Sequence, residues 1–133
     1  MGVSSTAGTP AIKSGQEANE FYVKEIISSN LVNNPHYALG KQDDKYAEIM
    51  PGGELVLKME KPFLPQEQYN DGKIIAKDGE YSVAALVQDA WREIFPGVVP
   101  GGFKIPKSGQ VQVDTLKILN IGNERVYIDS IVG

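Results

Sequence analysis

The residues with the most chemical capacity sit in one loop. From Asn33 to Tyr46 the chain reads Asn-Asn-Pro-His-Tyr-Ala-Leu-Gly-Lys-Gln-Asp-Asp-Lys-Tyr. It holds the sole histidine, His36, the adjacent carboxylates of Asp43 and Asp44, and the amides of Asn33, Asn34 and Gln42. Carboxylate, amide and main-chain carbonyl oxygens are the ligands of a hard cation, and calcium gathers about six to eight of them in flexible geometry. The loop is therefore a candidate calcium site; the simpler alternative is a solvated turn beside Lys41 and Lys45. Zinc needs several His or Cys ligands, and the chain has one His and no Cys.

Catalytic chemistry finds less support. Without cysteine there is no thiolate nucleophile. His36 follows Pro35 with no Ser/Asp pattern around it, so an exposed loop histidine is the simpler reading. Glycoside hydrolysis uses two carboxyls about 5–9 Å apart across a sugar. No spacing marks such a pair, and Asp71, Asp78 and Asp89 are accounted for as turn residues. Pro51-Gly52-Gly53 and Pro100-Gly101-Gly102 lack the helix and the Lys-Ser/Thr pair of a phosphate-binding loop. A non-enzymatic protein is expected. Aromatic rings remain: sugar-binding faces stack ring planes on sugar C–H patches while polar groups take the hydroxyls. Tyr37, Tyr46 and Tyr69 are the loop aromatics, and Trp91 reads as a core residue.

The totals are those of one domain. The chain has 133 residues and a net charge of −4, and a domain this size buries roughly two-thirds of its unfolded surface without needing staples. The charges are scattered, with no basic stripe for nucleic acid or anionic lipid. No apolar run approaches the ~20 residues that span a bilayer, so no membrane insertion is expected. Residues 1–20 are small and polar and read as a linker or flexible terminus. They lack the basic and apolar regions of a signal peptide. The start reads as a Met joined to an excised segment, either one module of a longer protein or a mature form.

The elements that must position the loop are short strands. Phe21–Ser28 is β-branched and aromatic, with a bulge expected near Lys24-Glu25; the loop then runs from Ser29 to about Lys45. A Pro51-Gly52-Gly53 turn leads to Gly53–Lys61, where Leu55, Leu57 and Met59 share one face. Asp71-Gly72 and Asp78-Gly79 bracket a short strand at Ile74–Ala76, with Asp78-Gly79 read as a hairpin turn. Glu80–Gln88 places Tyr81, Val83, Ala85 and Val87 on one face. Two prolines keep 96–102 out of any central strand. Phe103–Ile105, Val111–Val113, Leu116–Ile121 and Arg125–Val132 complete the set, with a break at Asp114-Thr115 and a hairpin turn at Asn120–Glu124. No convincing helix appears. The expected architecture for 21–133 is an all-β, antiparallel β-sandwich of jelly-roll type with about eight strands.

The order of motifs resembles a known family. Ala38-Leu39-Gly40-x-x-Asp43, followed by Tyr46-Ala47-x-Ile49-x-Pro51-Gly52-Gly53-x-Leu55-x-Leu57, is similar to the opening of discoidin-like (galactose-binding-like) β-sandwich domains of bacterial and archaeal surface proteins. Glu80-Tyr81-Ser82-Val83 with Trp91, and Val126-Tyr127-Ile128-Asp129-Ser130-Ile131, resemble its later strands. The resemblance covers about residues 30–132; Gln42 stands where proline is usual, and Gln88-Asp89-Ala90 replaces Ser-x-Asp-Gly. It implies an eight-strand jelly roll with termini close together and a calcium under the first long loop, for which Asp43 and Asp129 are the matching positions. It also implies a polysaccharide or glycan held by loops at one end.

The leading expectation is thus a non-catalytic carbohydrate-binding or adhesion module of an extracellular or cell-surface protein, with Asn34, His36, Tyr37, Tyr46 and Tyr69 as the glycan platform. The alternative is a structural or assembly subunit of a filament, surface layer or virion, in which residues 1–20 pair along a neighbour's sheet edge.

Overall fold

The computed structural model describes residues 20–64, 69–98, 100–106 and 112–133. Nine strands run in chain order: β1 (Val23–Asn33), β2 (Ala47–Met59), β3 (Gly72–Lys77), β4 (Tyr81–Val87), β5 (Ala90–Glu93), β6 (Phe95–Pro96), β7 (Gly102–Lys104), β8 (Thr115–Asn120) and β9 (Val126–Val132). A 3-10 helix at Pro35–Ala38 is the only helical element among the described residues. All strand pairs are antiparallel. The all-β antiparallel sandwich expected from the turn spacing is the architecture found, with nine strands rather than about eight.

The fold turns on β2. Its C-terminal part pairs with β8, from Glu54↔Leu119 to Lys58↔Thr115, and its N-terminal part pairs with β9, from Ala47↔Ile128 to Ile49↔Val126. One layer is therefore β5-β4-β8-β2 and the other β2-β9-β3-β7-β6, with β1 alongside β2 in both. Pro51-Gly52-Gly53 lies between the two parts. It is a corner within one strand, not the turn expected: between the pairs Asn30↔Glu54 and Val32↔Ile49, β1 advances two residues and β2 five. Gly53 is required there because a Cβ would lie 2.7 Å from the Leu31 carbonyl oxygen and 2.8 Å from that of Asn30.

The same corner corrects a second expectation. Asn120–Glu124 is no hairpin turn, since β8 and β9 both run antiparallel to β2 and follow one another along the same edge. The segment carries the chain round the bend, and buried Asn120 holds it. Its Nδ2 donates to the Ile49 carbonyl (2.9 Å) and the Glu124 carbonyl (2.7 Å), while its Oδ1 accepts from the Gly122 N–H (2.9 Å).

Asp78-Gly79 likewise joins no hairpin. β3 pairs with β7 and β9, β4 with β5 and β8, so this turn crosses between layers. Gly79 has φ +61°, and a Cβ would lie 2.7 Å from the Arg125 carbonyl oxygen. The true hairpin is β4–β5, where Gln88 and Asp89 both adopt positive φ (51° and 67°), the geometry of a two-residue turn. Asp71, read as a turn residue, is buried: its Oδ2 accepts from the Ile105 N–H at 2.7 Å, with Lys104 Nζ 3.6 Å from Oδ1.

The core follows the alternation read from the chain. Leu55, Leu57 and Met59 are buried, as are Ala85 and Val87, joined by Ile49, Leu116, Ile118, Val126, Ile128 and Ile131. Phe21, Phe63 and Phe103 close one end in tilted and edge-on contacts, and the Gly133 N–H donates to the Phe21 carbonyl at 2.8 Å. Trp91 departs from expectation. It lies on the four-residue edge strand β5, is 40% exposed, and has Lys117 Nζ 4.6 Å from its ring centroid.

Candidate functional site

Three residues of β9 and β1 hold the 34–46 loop. β9 runs past its last pair with β2, so on that edge Asp129 and Ser130 meet the loop, while the other edge still pairs with β3 at Ser130↔Ile75. The Asp129 carboxylate is wholly buried; Oδ1 accepts from the Asp43 N–H (3.0 Å) and Oδ2 from the Asp44 N–H (2.9 Å). Ser130 Oγ donates to the Gly40 carbonyl at 2.9 Å, and the Gly40 N–H donates to the Val23 carbonyl at 3.2 Å. Pro35 opens the 3-10 turn behind Asn34, which adopts a left-handed conformation (φ 52°), and Ala38 drops into the core. Further along the loop, Asp43 Oδ1 accepts from the Lys45 N–H at 3.0 Å.

Asp43 and Asp129, matched from the resemblance as calcium ligands, are thus brought together, but as main-chain donor and carboxylate acceptor. Each Asp129 oxygen accepts from one main-chain N–H. The Asp43 carboxylate faces its own loop. Among the described residues no group of three or more His, Cys, Asp or Glu side chains converges on a metal position. Asp43 and Asp129 meet here through main-chain hydrogen bonds. The anchoring expected of an ion is performed by hydrogen bonds.

The five platform residues are only partly assembled. Asn34, His36 and Tyr37 share the 3-10 turn, with the His36 and Tyr37 rings 4.5 Å apart and tilted, and Lys45 Nζ 5.9 Å from the Tyr37 centroid. Tyr46, where the loop enters β2, packs edge-on against Tyr127 of β9 at 6.2 Å. Lys77 Nζ lies 4.5 Å from the Tyr46 centroid and 5.6 Å from that of Tyr127. Tyr69 lies apart, 41% exposed, where its carbonyl accepts from Lys104 Nζ beside β7.

Sequence reasoning missed Lys77, Tyr127 and Ser130. Lys77 and Tyr127 are cross-strand partners on β3 and β9, 50 residues apart in sequence. The alternation of β9, with Tyr127 between inward Val126 and Ile128, could have marked Tyr127 as outward-facing.

A cleft of about 420 Å³ opens between the layers, lined by Ile74, Tyr81, Val83, Phe95, Phe103 and Ile121 among others. Burial raises the Tyr81 hydroxyl above its ordinary pKa of 10.0. Glu93 is the one carboxylate among the described lining residues. No helix among the described residues is long and apolar enough to cross a membrane.

In comparisons with known proteins, no family model, no curated protein and no solved structure matches the chain.

Proposed function

We propose that this chain is a non-catalytic β-sandwich module that binds carbohydrate or mediates adhesion through the 34–46 loop and the adjoining outer side of β9. The supporting observation is the wholly buried Asp129 carboxylate, which fixes a surface loop through two main-chain N–H groups. Burying a carboxylate costs several kcal/mol unless its hydrogen bonds are satisfied. Here that burial rigidifies a segment bearing His36, Tyr37 and Tyr46, and binding residues sit characteristically on loops held by a rigid scaffold. Tyr37 and Tyr46, extended by Tyr127, offer ring faces for sugar C–H patches; Asn34, Lys45 and Lys77 offer donors to hydroxyls or acidic groups. Tyr69 is outside this face. Such a module belongs at a cell surface or in the extracellular space.

A glycan array with the full chain tests the reading. Binding to a subset of glycans, unchanged by chelator and reduced by Tyr37→Ala and Tyr46→Ala, is expected. No binding at millimolar sugar, with or without calcium, overturns it.

A second reading, a structural or assembly subunit of a filament, surface layer or virion, is supported by the exposed outer edge of β1. The pairing role considered for residues 1–20 lies, apart from Glu20, outside the described residues.

A further inference from the structure

We propose that β1 is a self-complementary edge through which two copies of this chain join about a two-fold axis at Ser29. The proposal rests on the assembly reading and is independent of glycan binding.

Among the described residues β1 pairs only with β2, and its one loop hydrogen bond falls at Val23, next to its start. The remainder is an outward edge of ten residues. Exposed edges in monomeric proteins are usually guarded by charge, proline or bulges. This one has bulges, and its only charges, Lys24 and Glu25, sit at its start; residues 26–34 carry none.

The bulges do something else. Register with β2 shifts three times, first at Lys24; Ile27 is an extra residue on β1, whereas opposite Leu31 the extra residues are on β2, at the corner. Each side chain is turned to solvent, 50% and 57% exposed, while Ile26 and Val32 pack against the core. Leu31 holds a left-handed backbone (φ 58°), a conformation more readily met by Gly or Asn. Ile27 and Leu31 stand two positions to either side of Ser29.

The symmetry makes the edge complementary to itself. Antiparallel pairing with a second copy, centred on Ser29, sets Ile27 against Leu31 of that copy, and Leu31 against its Ile27. Ser28 meets Asn30, Ile26 meets Val32, and the Glu25 carboxylate meets the neutral amide of Asn33. Lys24 meets Asn34. Apolar faces apolar, polar faces polar, and no like charges oppose one another, which is what an isologous contact requires. Sliding the pairing by two residues puts Ile27 opposite Ser29 and loses the match. The contact involves about ten residues a side, below the about 20–30 of a stable interface, so the dimer is weak and forms with concentration.

The test is sedimentation equilibrium of the full chain from micromolar to near-millimolar concentration. A monomer–dimer equilibrium is expected. Ile27→Lys and Leu31→Lys, both at exposed positions, each weaken it at least about tenfold. The double variant Ile27→Lys/Leu31→Glu puts opposite charges face to face in this register and recovers dimer relative to either lysine variant. Because the chain has no native cysteine, Ser29→Cys gives a disulfide-linked dimer on mild oxidation that an Asn123→Cys control does not. A chain that stays monomeric, with no excess cross-link at position 29, overturns both this interface and the assembly reading. Oligomers indifferent to the 27 and 31 substitutions overturn the interface alone.

Discussion

Asp129 accepts the main-chain N–H of Asp43 at 3.0 Å across 86 residues of sequence, from a position without any exposure to solvent. The second oxygen does the same for Asp44 at 2.9 Å. A buried carboxylate with both oxygens satisfied by peptide groups anchors a loop as a metal ion would, from main-chain donors alone.

Asp129→Asn tests that anchor. The amide keeps the shape but turns one NH₂ toward an N–H. We expect a loss of roughly 2–3 kcal/mol in denaturant unfolding, the range for hydrogen bonds to a charged group. Amide exchange at Asp43 and Asp44 should accelerate more than exchange in the β2–β8 ladder. An unchanged midpoint would contradict the anchor.

Calcium should be dispensable for the fold. Since N–H groups face Asp129, thermal midpoints measured in excess chelator and in millimolar calcium are expected to agree within about a degree. A calcium-dependent rise would mean that the loop rearranges to present carbonyls instead; saturating ligand at 100 times its dissociation constant would contribute about 2.7 kcal/mol.

The corner has its own test in Asn120→Ala. The substitution strands the Ile49 and Glu124 carbonyls without their side-chain donor and leaves a gap in the core. A destabilisation of about 2–4 kcal/mol in chemical denaturation is expected. A value near zero would mean that the bend is held by the β2 pairing alone.

Tyr81 sets an alkaline limit. Burial raises its pKa in the folded chain above the unfolded value of about 10, so the native state favours the protonated phenol. Its contribution is complete below pH 10 and is lost as pH climbs from there through the folded pKa. Stability of the native chain should fall above pH 10, and Tyr81→Phe should flatten that fall without changing the profile near neutrality. Identical alkaline limbs would remove Tyr81 as the cause.

Substitutions on the tyrosines separate the proposed face from the rest of the surface. Tyr37→Ala and Tyr46→Ala are each expected to weaken glycan binding at least about fivefold, since stacked rings contribute on the order of 1 kcal/mol. Tyr69→Ala is expected to leave it unchanged. Titration calorimetry against the best array hit measures both.

Much of this arrangement was legible along the chain. Leu55, Leu57 and Met59 recur at every second position, the spacing of a strand with a core-facing side, although Val56 on the other side is buried as well. The two prolines at 96 and 100 kept that segment from the middle of a sheet, and β6 is an edge pair of two residues. The resemblance matches Asp43 and Asp129 as calcium ligands; the contact between them is a hydrogen bond from the Asp43 N–H, a different relation.

What the chain could not reveal was partnership. Pro51-Gly52-Gly53 and Asp78-Gly79 have turn chemistry, and local backbone preference marks both as places where direction changes. Whether a strand then pairs with its predecessor, bends into a second layer or crosses over depends on burying two sheet faces against each other, a property of the whole chain. Trp91 shows the same division: it reads as a core residue, yet it is paired with Leu86, which alternates with buried Ala85 and Val87, and so lies on the outward side of β5 against Lys117. The loop from Asn33 to Tyr46 could be read as polar, aromatic and rich in oxygen. That Asp129 would meet it through two peptide N–H groups was decided by β9 extending past its last pair with β2, which only the assembled sandwich determines.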